Sequence, residues 1–136
     1  MKKSVLAGEK GIAIVEFALV LPLLITLIFG SIEFGLIMYN KQVITNASRE
    51  GARAGIVKKN PVVDDDTIRE RVNYYALDHL VTFGAGGGAP DTAIDRTAGQ
   101  TSGNDLTVTV NYQYHFLLPF LGDSLQLTAK TVMRYE

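Results

Sequence analysis

The sequence predicts an α+β protein: one long N-terminal transmembrane helix carrying a small head of a second helix and a two- or three-stranded antiparallel sheet. Three observations predict it. The stretch from Ile12 to Tyr39 is almost wholly apolar. Ile68, Val72, Tyr75, Ala76, His79 and Leu80 recur at helical spacing behind a run of capping residues. From Asp105 onward the hydrophobic period changes to two. The 136 residues carry 13 basic and 14 acidic side chains, a net charge of −1. That balance offers no electrostatic footprint for nucleic acid. The chain has no cysteine, which excludes disulfides, thiolate zinc sites and thiol catalysis. With two histidines, a His-rich metal site within one chain is excluded as well.

The 28 residues from Ile12 to Tyr39 would span roughly 42 Å as a helix, and a bilayer core needs about 20 residues. Lys2, Lys3 and Lys10 precede the stretch against a single acid, Glu9. The positive-inside rule then leaves the N-terminus in the cytoplasm and exports the rest. A cleaved secretory signal fits poorly, because its apolar region runs about 7–15 residues and ends at a small-x-small site. Here the charge-free run Phe17–Ile32 is followed by Glu33, and Gly30-Ser31 makes a poor site. An uncleaved signal anchor stays open.

Two carboxylates interrupt this segment, Glu16 and Glu33. A charged side chain near the bilayer centre costs about 2.5–3.5 kcal/mol on insertion scales, so such residues normally have a partner. Glu33 lies near the far interface, where it could reach headgroups or water. Glu16 sits among apolar neighbours, five residues past Gly11. Pro22 removes one helical hydrogen bond and clashes with the carbonyl of Ala18, which predicts a kink near 18–22. That kink is either harmless in a membrane helix or a hinge for leaving the bilayer.

The helix is expected to continue to about Val57. Val43, Ala47, Gly51 and Gly55 fall four apart and form a narrow close-packing stripe. Small residues at this spacing admit another backbone, and packing on the protein's own sheet is favoured over an inter-subunit contact. Arg49 and Arg53 are expected to face solvent or pair locally. Lys58-Lys59-Asn60-Pro61 should end the helix. Asp64-Asp65-Asp66-Thr67 offers N-caps for the next one, and Thr67 with Glu70 fits a capping box. The spacing and glycine of an EF-hand are absent. His79 reads as an edge-of-core histidine.

Gly84 to Pro90 is a flexible loop without the Lys-Ser/Thr of a phosphate-binding loop. A short strand is expected near Thr92–Arg96. Leu106, Val108, Val110, Tyr112 and Tyr114 then alternate with polar residues, and Leu125, Leu127, Ala129, Thr131, Met133 and Tyr135 repeat the pattern. The connection Phe116-Leu117-Leu118-Pro119-Phe120-Leu121 is unusually apolar. It could plug the core, dip towards the membrane or meet a partner.

Lys10-Gly11 followed by Ile12-Ala13-Ile14-Val15-Glu16-Phe17 resembles the processing site of type IV pilins and pseudopilins. Gly11 to Val57 is similar to the TadE-like pseudopilins of tight-adherence (Flp) pilus systems. The stretches that carry the likeness are Val15-Glu16-Phe17-Ala18-Leu19-Val20-Leu21-Pro22, Ile32-Glu33-Phe34-Gly35 and Ala47 to Gly55. Thr131 to Glu136 resembles that family's closing strand. The resemblance implies a leader over residues 1–11, cut by a prepilin peptidase between Gly11 and Ile12. A transmembrane helix over 12–39 and an extracytoplasmic, pilin-like head over 40–136 would follow. It further implies a bacterial inner-membrane location, pairing of Glu16 with the new amine of a neighbouring subunit, and a minor or assembly role. The implied partners are other pilins, an inner-membrane assembly platform and lipid. The alternative is an uncleaved, membrane-anchored binding module of the cell envelope. No nucleophile–base set, metal spacing or phosphate loop is present, so neither an enzyme nor a cofactor is expected.

Overall fold

The computed structural model describes residues 5–57, 63–82, 88–96, 99–118 and 122–135, apart from the side chains of 5–10. The expected helix stop at 58–61, most of the glycine loop and Pro119 to Leu121 lie outside the described residues.

The first element, α1, is a single 52-residue helix from Val5 to Ile56. It runs through Pro22 without a break. Hydroxyls in the apolar stretch bond back to their own helix: Thr26 Oγ1 donates to the Pro22 carbonyl at 2.8 Å and Ser31 Oγ to the Leu27 carbonyl at 2.8 Å. Such i−4 bonds satisfy polar groups where no water is at hand.

The chain forms two compact units, one ending at Gly35 and the other beginning at Leu36. In the first unit, apolar side chains from Ile12 to Phe34 are exposed all around the helix. A helix apolar on every side needs an apolar surrounding. It is the one helix among the described residues long and apolar enough to cross a membrane, and it is compatible with a single-pass anchor. Leu36 and Ile37, at the start of the second unit, pack on the head's core.

In the second unit, α2 (Asp65–Leu77) buries Ile68, Val72 and Ala76, one residue per turn. Three strands follow, β1 (Asp91–Asp95), β2 (Asp105–His115) and β3 (Ser124–Arg134), in the antiparallel order β1-β2-β3. The register sets Ile94 opposite Val108 and Val110 opposite Ala129. The alternation in β2 is complete, with Leu106, Val108, Val110, Tyr112 and Tyr114 all buried. In β3 it is looser: Leu127 and Ala129 are buried but Leu125 is exposed, as suits an edge strand. The opposite face carries Thr107, Thr109, Asn111 and Gln113.

Two local expectations are corrected. The N-cap of α2 is Asp64, not Thr67: its backbone is extended and its carboxylate accepts from the Thr67 backbone N–H at 2.9 Å. Thr67 is therefore inside the first turn, and the box with Glu70 does not form. His79 lies beyond the end of α2 and is exposed, not at the edge of the core. Its ring stacks on Tyr75, centroids 5.0 Å apart, and Nδ1 is 2.8 Å from the Tyr75 carbonyl oxygen.

Candidate functional site

The residues singled out near the N-terminus fall on one helix surface. Gly11, Ile12, Val15, Glu16 and Leu19 line a shallow groove along α1. Helical spacing explains the set, since i, i+4 and i+8 share a face. All of them are exposed, Ile12 at 71% and Leu19 at 75%. A side chain at Gly11 would meet nothing within 4 Å. Among the described residues Glu16 has no ion-pair partner. A carboxylate on a bare apolar surface is a poor end state in lipid, because it costs free energy until a cation meets it.

Glu33 behaves differently. It is 1% exposed, so the expectation that it reaches headgroups or water is overturned. Glu33 is not without a partner, as the cost of burying a lone charge requires.

The small-residue stripe is accounted for within the head. A Cβ on Gly51 would sit 2.5 Å from Val72 Cγ2, and one on Gly55 would sit 2.5 Å from Leu106 Cδ2 and 2.6 Å from Ile68 Cδ1. Ala47, Gly51 and Gly55 are all buried. The glycines let α1 approach α2 and β2, and Arg49 and Arg53 are exposed as expected.

Sequence reasoning missed three side chains that tie α1 to the head. Asn40 is fully buried; its Nδ2 donates to the Val81 carbonyl at 2.7 Å and its Oδ1 accepts from the Val81 N–H at 2.9 Å. Lys41 Nζ donates to the Thr128 carbonyl on β3. Ser48 Oγ is fully buried, 2.7 Å from Thr131 Oγ1, and donates to the Thr45 carbonyl at 2.8 Å. The signal was available: 40, 44, 47, 48, 51 and 55 lie on one helical face, so Asn40 and Ser48 belong to the buried stripe and need partners.

The three consecutive aspartates each do something separate. Asp64 caps α2, and hydrogen bonds from the Thr67 side chain and backbone hold its carboxyl below its ordinary value. Asp65 pairs with Arg96 at 2.8 Å, and Arg96 also donates to the Val63 carbonyl at 2.9 Å. Asp66 pairs with Arg69 at 2.9 Å.

No curated protein and no solved structure matches the chain. Residues 11–53, which hold Gly11, Glu16, Pro22, Glu33 and the first of the two packing glycines, match the family model described as TadE-like protein, the family that the sequence resembles.

Proposed function

We propose that the protein is a pseudopilin or minor pilin acting in assembly of a tight-adherence pilus. In this reading a prepilin peptidase cuts after Gly11. The head is extracytoplasmic, and the apolar part of α1 crosses the bacterial inner membrane from a cytoplasmic N-terminus. Fellow pilins and an inner-membrane assembly platform are its partners. The observation that carries the reading is Glu16: exposed, on a helix apolar on every side, four residues after Ile12, within the TadE-like match. Cutting after Gly11 creates an ammonium group at Ile12. Left alone in an apolar setting it is costly, and an opposing carboxylate offsets much of that cost. Glu16 on a neighbouring subunit can supply it and set the register between packed helices.

The test has two parts. Mass spectrometry of membrane-extracted protein should find 125 residues starting at Ile12, with net charge changed from −1 to −3. Gly11→Leu should block the cut. Glu16→Gln should be cut and inserted yet lose photocrosslinks to other pilins, since removing one member of a buried pair costs about 3–5 kcal/mol. An intact leader together with normal crosslinks for Glu16→Gln would favour the uncleaved anchored module instead.

A further inference from the structure

We infer that the outer edge of β3 takes up an extended segment of a partner chain whose alternate side chains run acidic, apolar, acidic. This edge lies wholly within the second unit. In the order β1-β2-β3, one side of β3 faces no strand. The ladder fixes which backbone groups point that way. The Tyr135 N–H donates to the Asn104 carbonyl at 2.9 Å, continuing the pairing of Asp105 with Arg134. Along an antiparallel strand, residues bonded to the neighbour alternate with residues turned away from it. Met133, Thr131 and Ala129 therefore turn to β2 with Tyr135, and Arg134, Val132, Lys130 and Thr128 turn outwards. A separate contact agrees, because the Thr128 carbonyl accepts from Lys41 Nζ on α1.

Proteins close sheet edges with short strands, prolines, bulges or a covering element. β1, the other edge, is five residues long. β3 runs for 11 residues without a proline. α1 closes it at Thr128 and not beyond. Gly55 and Gly51 of α1 abut Leu106 and Val108 on β2, Ser48 meets Thr131, and Lys41 reaches the outward carbonyl of Thr128. The helix thus crosses from β2 to the outer side of β3, and it leaves the 130–134 half uncovered. Among the described residues, no hydrogen bond from outside the ladder reaches the backbone of Lys130, Val132 or Arg134.

The side chains there define the partner. Lys130, Val132 and Arg134 share the face away from the core with Thr109, Thr107 and Asp105, opposite them on β2. Val132 is 52% exposed. Arg134 pairs with Asp105 at 3.1 Å, whereas Lys130 has no ion-pair partner among the described residues. Directly opposed side chains on antiparallel strands attract when oppositely charged and repel when alike. An added antiparallel strand is therefore selected for acids opposite Lys130 and Arg134 and an apolar residue opposite Val132. Each of these three residues offers it one N–H and one C=O. Main-chain bonds hold such a strand and the alternate side chains choose it. A second copy of β3 is a poorer occupant, since it would gather another Lys130 and Arg134 at the same edge.

The full chain, isotopically labelled in detergent micelles, is mixed with the capped peptide Thr-Asp-Thr-Val-Thr-Asp-Thr, and amide hydrogen exchange is followed residue by residue. Exchange at Lys130, Val132 and Arg134 should slow roughly tenfold. The same peptide with lysine for aspartate should leave these amides fast. Val132→Pro deletes the central outward donor and no ladder bond, a change that edge strands tolerate, and should abolish the protection at Lys130 and Arg134. Lys130→Glu should lose the aspartate peptide while exchange in the β2–β3 ladder stays unchanged; it decides the matter if Val132→Pro fails to fold. Protection by both peptides alike, or by neither, would overturn the inference. Edge amides already slow without peptide, and slower as protein concentration rises, would mean that a second copy holds the edge, and overturns it too.

Discussion

Asn40 shows how much a single amide can hold. One side chain satisfies both backbone groups of Val81, as a neighbouring strand residue would, and pins the segment after α2 to α1. Asn40→Ala removes both bonds and leaves a donor and an acceptor without partners, which costs about 1–3 kcal/mol. Urea unfolding of the detergent-solubilised protein, followed by circular dichroism, should show the midpoint lowered by that amount of stability. Asn40 was readable only as a position on a stripe; its partner was not, because Val81 is 41 residues away and has no pattern of its own. Glu16 is the opposite case. Its apolar neighbours and its distance from Gly11 made it conspicuous in the sequence, and the structure places it bare on the surface.

Packing of α1 against α2 turns on Gly51. Alanine there gains about 1 kcal/mol of helix propensity, yet its Cβ would lie 2.5 Å from Val72 Cγ2. Valine has few rotamers to retreat into, and overpacking typically costs about 1–3 kcal/mol. Gly51→Ala should therefore lower the thermal midpoint, and Val72→Ala in the same chain should relieve part of the loss, a coupling that a double-mutant cycle measures. The start of α2 should respond to acid. Because hydrogen bonds depress the folded-state pKa of Asp64, its contribution is complete above the ordinary value of 3.8 and is lost as pH falls through the lowered folded value. Asp64→Asn keeps a capping side chain without the charge, so it should flatten this acid limb in a pH series of melting curves. The alternation in β2 and the stripe in α2 were legible because each has a clean period. The Thr67 cap was misread because four consecutive residues could all serve, and only backbone geometry chooses between them. His79 was misplaced because the periodic pattern outlasts the helix by one turn.

The molecule as a whole separates two carboxylates that the sequence presents alike. Glu16 is exposed and Glu33 is 1% exposed. Glu33→Gln should therefore change the unfolding of the isolated, detergent-solubilised protein, whereas Glu16→Gln should leave it unchanged and, on the proposed assembly reading, act only when pilin partners are present. Equal unfolding curves for the two variants would contradict this. The order of elements was readable from hydrophobic period, and the fold class followed from it. The point where the head begins was not, because an apolar run reads the same whether lipid or a protein core covers it. Leu36 and Ile37 belong to the core although they look like the membrane segment before them.

The stripe on α1 also has a history during synthesis. The bond between Ser48 and Thr131 joins residues 83 apart, and that between Lys41 and Thr128 joins residues 87 apart. In the proposed orientation, with the N-terminus cytoplasmic, the part of α1 that meets β3 emerges first and β3 emerges last. At ribosomal rates of about 5–20 residues per second, the gap is about 4–17 s. For that interval Lys41 and Ser48 wait without their β3 partners. On that reading, a newly exported chain passes through a stage in which this end of the stripe lacks its cover, and the last strand to arrive ends it.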